Sequence, residues 1–280
     1  MSILSFFVTF LIPLNKSLQY SLFGSYFYPK EFAMLSIFKK KYFIVDFLEG
    51  LTDMHSHLLP GLDDGSPNVE TSLKMIRAYR ELGYKGVIAT PHIMDGLYQN
   101  NSTKISNALN SFKAEIEDSE FRHFKIKAAA EYMMDQGFDH LLNNQDFLPL
   151  YDNHVLVEMS YYQRNMYVET QIFNLQQKNF QPVLAHPERY FYLTKPEDVL
   201  EFQKKGCDLQ LNILSLSGHY GPAVYKQSIQ LLINNHYDYI GTDAHRAEHL
   251  SKIKGITLPK KMIPSIQSLV ARTKEKLEHI

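Results

Sequence analysis

The sequence contains no tryptophan and only one cysteine, Cys207, in 280 residues. A single thiol cannot build an internal disulfide framework or a structural zinc site of the four-cysteine kind, and it fits a reducing compartment. A surplus of either charge is also missing. With 29 Lys and Arg against 30 Asp and Glu, the net charge of -1 offers no basic field for nucleic acid and no acidic tail. The apolar run "ILSFFVTFLIPL" (Ile3 to Leu14) falls short of the roughly 20 residues that a membrane-spanning helix needs. Its length suits a signal-peptide core, yet no positive charge precedes it and no small-x-small cleavage site follows. Met34 opens "MLSIFKKKYF", a natural start for a cytoplasmic protein. Residues 1–33 are therefore set apart as an N-terminal extension (a mis-assigned start, an anchor or a signal), and 34–280 are read as one domain.

What is present is ordinary in bulk and ordered in pattern. Apolar content of 45% and charged content of 21% are those of a soluble globular protein, and the length accommodates one α/β barrel. Seven short apolar runs read as strands: 50–54, 86–90, 124–130, 154–159, 181–185, 207–213 and 237–242. Helical stretches lie between them at 68–83, 100–117, 167–179, 197–205, 221–235 and 262–278. In the first, Ser66 is placed to cap, Pro67 fits the first turn, Val69, Leu73, Ile76 and Leu82 form one stripe, and Gly83 ends it. Strands alternating with helices predict parallel pairing with right-handed crossovers, hence one closed or nearly closed barrel.

The polar residues are not scattered over this pattern. His55 and His57 follow the first run, His92 the second, Glu131 the third, Glu158 ends the fourth, His186 and Arg189 follow the fifth, and Asp243, His245 and Arg246 follow the seventh. In an α/β barrel all these positions share the face where active sites sit. Two histidines at i and i+2 on an extended segment point to the same side and can chelate one ion, and Asp243 with His245 repeats that spacing. Imidazole mixed with carboxylate suits manganese, iron or zinc better than calcium. A carboxylate ending an apolar strand, as at Glu131 and Glu158, costs several kcal/mol to bury unless paired. Any one of these histidines alone would read as structural, and Asp63 and Asp64 alone as turn residues between Gly61 and Gly65.

The ordered set "DMHSHLLPGLDDG", "ATPH", "AAAEYM", "VLVEMS", "LAHPERY" and "GTDAHR" resembles the PHP superfamily. More narrowly, it resembles the metal-dependent protein-tyrosine phosphatases encoded with bacterial capsule and exopolysaccharide systems, from about residue 34 onward. The resemblance implies a distorted seven-stranded TIM-like barrel holding three divalent ions, manganese first, with iron or zinc as alternatives. It implies His55, His57, Glu131 and Asp243 on one ion; Glu131 as a bridge with Glu158 and His186 on a second; and Asp64, His92 and His245 on a third. Arg189 and Arg246 match phosphate-binding positions, and Asp63 remains a turn former.

The expected reaction is hydrolysis of a phosphotyrosine monoester by a metal-bridging hydroxide, without a covalent intermediate. A cysteine nucleophile is disfavoured, because Cys207 sits inside a strand and Ile213 stands where the usual phosphate loop would carry arginine. The expected substrate is the tyrosine-rich tail of a membrane-bound bacterial tyrosine kinase of polysaccharide export, met in the cytoplasm. Contact with the membrane would come only through that kinase, and no oligomeric state follows. Tyrosines in "SYYQRNMY" (160–167) and "RYFY" (189–192) either rim the substrate or simply pack the loops, packing being the commoner outcome. The rival readings are a PHP phosphatase of a small metabolite such as histidinol phosphate and a catalytically silent binding module. Translation from Met34 is expected to yield a protein that stays soluble and cleaves a phosphotyrosine peptide; loss of folding would place residues 1–33 inside the domain.

Overall fold

Strand formation follows the apolar runs closely. The structure, a computed structural model, describes residues 40–279, so the extension expected at 1–33 lies outside them. The strands are β1 (Tyr42–Phe43), β2 (Thr52–Ser56), β3 (Gly86–Ala89), β4 (His92–Ile93), β5 (Lys125–Ala128) and β6 (Glu131–Met133). They continue with β7 (His154–Glu158), β8 (Gln181–Ala185), β9 (Asp208–Asn212), β10 (Tyr239–Gly241) and β11 (Thr257–Leu258). The helices are α1 (Val69–Glu81), α2 (Ser102–Ile116), α3 (Phe138–Asn144), α4 (Val168–Gln177), α5 (Pro196–Lys204), α6 (Pro222–Ile233), α7 (Ala247–Ile253) and α8 (Ile263–Lys276). Six of the helices match the expected ones; α3 and α7, of 7 residues each, are too short for apolar periodicity to register.

The result is a mixed α/β fold. Two of the seven expected strands are each followed, after a break, by a further short strand (β4 after β3, β6 after β5), so the strands form two parallel sheets rather than one continuous ladder. One sheet runs β10-β9-β8-β7-β6-β4 and the other β2-β3-β5. One break falls at Thr90-Pro91, where proline has no N–H to give to a ladder; the other falls opposite, at Ala129-Ala130. The register is the same on both sides of the breaks, Gly86 facing Lys125 and His92 facing Glu131. Backbone bonds from Ala129 N–H to Ala89 O (2.8 Å) and from Glu131 N–H to Pro91 O (3.1 Å) carry across them. At the other seam, Asp243 N–H donates to His55 O (2.8 Å) and His57 N–H to Ala244 O (3.0 Å). The small pair β1 and β11, antiparallel, was not foreseen; two residues give no readable alternation.

Both faces of the strands are covered, as parallel sheets require. Along β7, Val155 and Val157 join the larger apolar cluster with Tyr79, Ile172 and Leu175, while Leu156 between them joins a smaller one with Met54, Ile88, Val183 and Tyr239. The first helix starts later than Ser66 suggested. Its cap is Asn68, whose side chain accepts from Thr71 N–H (3.0 Å). Ser66 is buried and spends its hydroxyl on Asn68 O (2.8 Å). Gly83, at φ +84°, ends the helix in a conformation that favours glycine. Asn68→Ala is expected to cost about 1 kcal/mol, read in calorimetry as a Tm lowered by roughly 2–4 °C; an unchanged Tm would show that the cap contributes nothing.

Candidate metal centre

Parallel strands end on the same edge, and there the histidines and carboxylates meet. β2 is buried on both sides along its whole length, so His55 and the following His57 face inward without contact with solvent. His55 Nε2 lies 3.1 Å from Glu131 Oε2 and 3.4 Å from Asp243 Oδ1. His57 Nε2 lies 3.4 Å and 3.2 Å from the same two oxygens, and the two imidazole nitrogens are 3.4 Å apart. Ligands about 2.1 Å from a tetrahedral ion are about 3.4 Å from one another. These four atoms therefore have the mutual spacing of a ligand set.

The other expected residues adjoin this group. His92 Nδ1 is 2.8 Å from Glu158 Oε1 and 3.1 Å from Glu131 Oε2, while its Nε2 is 3.6 Å from Asp64 Oδ1. A neutral imidazole has one lone pair, so His92 can ligate on only one of these sides at a time. His186 Nε2 is 3.1 Å from Glu131 Oε1 and 3.9 Å from Asp243 Oδ2. His245 Nε2 is 3.5 Å from Asp64 Oδ1, and the His245 ring stacks on His57 with centroids 3.9 Å apart. Asp64 is the exposed member, its side chain 55% accessible. Arg189 donates from Nη1 to Asp243 Oδ2 at 2.5 Å. Arg246 stands exposed at the start of α7 and makes no ion pair with the cluster among the described residues.

Local backbone explains how two of these side chains turn inward. His186 (φ +34°) and Asp243 (φ +50°) are both left-handed, immediately after β8 and close behind β10. Such strain in non-glycine residues concentrates at functional sites. The turn "PGLDDG" depends on Gly65, because a Cβ there would lie 2.3 Å from His57 O. That close pass brings Asp63 up to the cluster. Asp63, read from sequence as a turn former, has a larger part: its Oδ2 is 2.7 Å from His57 Nδ1 and accepts His92 N–H at 3.0 Å. Gln210 was missed altogether. Its Oε1 accepts His186 N–H (3.2 Å), which fixes the amide orientation, and lies 3.1 Å from His55 Nδ1. An oxygen at each Nδ1 keeps the proton there and leaves each Nε2 lone pair for a cation. Asn212 likewise donates to Asp243 Oδ2 (3.1 Å). The sixth strand, whose C-terminal end carries no ligand-type residue, thus supplies two amides behind the ligands, and amides are too common for sequence spacing to single out.

The electrostatics ask for positive charge. Burial pushes Glu131 and Asp243 up, but the surrounding histidines outweigh it and hold both below the usual carboxylate range. Burial pushes His57 and His92 down, yet their carboxylate partners hold both well above the ordinary imidazole value. Glu131 Oε2, Glu158 Oε1, His92 Nδ1 and His186 Nδ1 are buried and, although the first three lie close together, none makes a hydrogen bond of good geometry among the described residues. Divalent cations fit this donor set, since they satisfy such atoms and displace the imidazole protons. Cys207 takes no part: it is buried at the foot of β9, and burial pushes its thiol up to about 12. Of the tyrosines, Tyr190 is buried and packs, donating to Ala185 O (3.0 Å). Tyr162 and Phe191 are exposed with ring centroids 5.5 Å apart.

A family model described as capsular polysaccharide synthesis, CpsB/CapC, matches residues 51–255. The chain is 28% identical over 204 residues to tyrosine-protein phosphatase YwqE of Bacillus subtilis, covering 71% of this chain and 78% of that protein. It is 29% identical over 166 residues to tyrosine-protein phosphatase CpsB of Streptococcus agalactiae, covering 58% and 67%. A structure from a study of B. subtilis YwqE and Streptococcus pneumoniae CpsB, described as unique metal-dependent tyrosine phosphatases, superposes with a TM-score of 0.65 at 24% identity. It covers 79% of this chain and 95% of that one. Asp63→Asn is expected to weaken divalent-metal binding by about ten- to a hundredfold in a chelator-competition titration while circular dichroism stays unchanged; an unaltered affinity would return Asp63 to the role of turn former.

Proposed function

The chain belongs to the capsular polysaccharide synthesis family CpsB/CapC, and from that premise we propose that it is a metal-dependent phosphatase hydrolysing phosphotyrosine in proteins. The observation that carries the reading is the meeting of buried imidazoles and carboxylates at one strand edge with a guanidinium against them. His55, His57, Glu131 and Asp243 would hold one ion, Glu131 with Glu158 and His186 a second, and Asp64, His92 and His245 a third. The 2.8 Å approach of His92 to Glu158 supports a share for His92 in the second. Manganese is the proposed ion, with iron or zinc as alternatives. Such ions, when bound, supply Lewis acidity and bring the acidity of water close to neutral pH.

The chain's own residues then bind and orient the ester. Arg189 carries a planar fork of donors that matches two phosphoryl oxygens, and its present partner, Asp243 Oδ2, marks where that fork reaches. Arg246, exposed at the rim, is the second phosphate-facing group. The departing tyrosine leaves as a phenolate of pKa about 10, so no buried acid has to protonate it. Tyr162 and Phe191 offer an exposed aromatic edge for the peptide around the phosphotyrosine. The proposed substrate is the tyrosine-rich tail of a membrane-bound bacterial tyrosine kinase of polysaccharide export, met in the cytoplasm. The shared register across the strand breaks and the β2–β10 seam support reading the sheets as one distorted seven-stranded barrel of the PHP type. The compact unit beginning at Lys41 supports reading the described residues as a single domain.

Metal analysis of protein purified without chelator, joined to a side-by-side assay of a phosphotyrosine peptide and histidinol phosphate, tests the reading. Bound divalent metal and turnover of the peptide are expected, with activity down by more than about a hundredfold in His55→Ala/His57→Ala. Turnover of histidinol phosphate alone would overturn the substrate, and full activity in the double variant would overturn the metal centre.

A further inference from the structure

Arg189 is held by more than its ion pair. It stands on a short 3-10 turn, Pro187–Arg189, and its Cζ lies over two tyrosine rings, 4.7 Å from the centroid of Tyr161 and 4.0 Å from that of Tyr220. The rings arrive from different parts of the chain. Tyr161 follows β7 on a loop pinned by its own carbonyl, which accepts Phe191 N–H at 3.0 Å. Tyr220 follows β9, between Gly218 and Gly221, and both glycines have positive φ. Asn212 joins the second ring to the pair, donating to Tyr220 Oη (3.2 Å) and to Asp243 Oδ2 (3.1 Å). Neither tyrosine is a ligand candidate, and neither hydroxyl reaches the histidines and carboxylates in any hydrogen bond of the described residues.

We propose that Tyr161 and Tyr220 are positioning residues that hold the Arg189 guanidinium by cation–π contact in the orientation that receives the phosphoryl group. The proposal rests on the phosphatase reading in taking Arg189 as the phosphate-binding group. An arginine side chain has several soft torsions and loses much of its affinity for a planar anion if it must be ordered on binding. A guanidinium against an aromatic face gains about 0.5–1 kcal/mol when exposed and about 2 kcal/mol or more when desolvated, and Arg189 is only 16% accessible. The rings leave the guanidinium edge, with its donors, as the part free to exchange Asp243 Oδ2 for a phosphoryl oxygen. This arrangement also gives a part to Tyr161, at a position where sequence reading could only choose between loop packing and a substrate rim, and to Tyr220, which nothing in the sequence singles out.

The test is binding of inorganic phosphate to the metal-loaded protein by titration calorimetry, set beside KM and kcat on a phosphotyrosine peptide. Tyr220→Leu and Tyr161→Leu keep bulk but remove the aromatic face. Each is expected to weaken phosphate binding about tenfold and to raise KM more than it lowers kcat, with metal content unchanged. Tyr220→Phe and Tyr161→Phe keep the face and are expected to stay within about twofold of the parent. Unaltered phosphate binding in the Leu variants, Phe variants that fall as far as Leu, or a parent that binds no phosphate would each overturn the inference. A parent that binds phosphate but leaves the peptide intact would instead overturn the phosphatase reading, so the two failures are distinguishable.

Discussion

Everything at the strand edge answers to one constraint: two carboxylates, Glu131 and Asp243, lie inside an apolar fold with almost no access to water. A buried carboxylate is expensive unless opposite charge and hydrogen bonds meet it. Five imidazoles, those of His55, His57, His92, His186 and His245, and one guanidinium, Arg189, stand against these two groups or against Asp64 and Glu158 beside them. Three of the imidazoles have their far side met in turn, His57 by Asp63, His55 by Gln210 and His245 by the carbonyl of Asp243. The pattern is layered: cation-seeking oxygens inside, nitrogens around them, and a second set of oxygens fixing which nitrogen carries the proton.

The same constraint ties the ends of the chain together. Asp53, at the start of β2, accepts from Thr242 N–H (2.9 Å), from the Thr242 hydroxyl (2.5 Å) and from Tyr79 Oη (2.6 Å). Burial pushes its pKa up, and those donors oppose the rise. This knot binds β2 to the segment leading into Asp243, so His55 and Asp243 meet only when the first and last strands of the site have docked. Contacts of such long sequence separation close late and require the fold to be largely complete. Asp53 is therefore a fold residue with a functional consequence, although it touches no ligand atom of the cluster.

Much of this was legible from residues alone, and the limits have physical causes. A carboxylate or imidazole closing an apolar run is rare enough to stand out, and every ligand candidate chosen that way lies at one strand edge. Asp63 was read as a turn residue because in sequence it is one; only the close pass at Gly65 shows the turn folded back onto His57. Gln210 and Asn212 lie in "DLQLN", which reads as a plain strand, and their amides acquire meaning only from the neighbours beside β9. Ser66 looked like the helix cap because it precedes Pro67, but Asn68 is nearer the first free N–H groups and takes the position. β4 and β6 lie just beyond the expected runs 86–90 and 124–130, and at two and three residues they are too short for alternation to register.

The placement of Cys207 has a consequence for how the protein would respond to its surroundings. Peroxide and alkylating agents attack thiolates, and susceptibility follows thiolate character and access. With its thiol pushed up to about 12 and packed at the foot of β9, Cys207 offers neither. A phosphatase built on this strand edge carries no sulfur nucleophile to be capped, so oxidative stress cannot switch it off by the route that silences cysteine-based enzymes. For a metal-dependent phosphatase the sensitivity would pass instead to whatever governs the supply of the cations that the clustered histidines and carboxylates could hold.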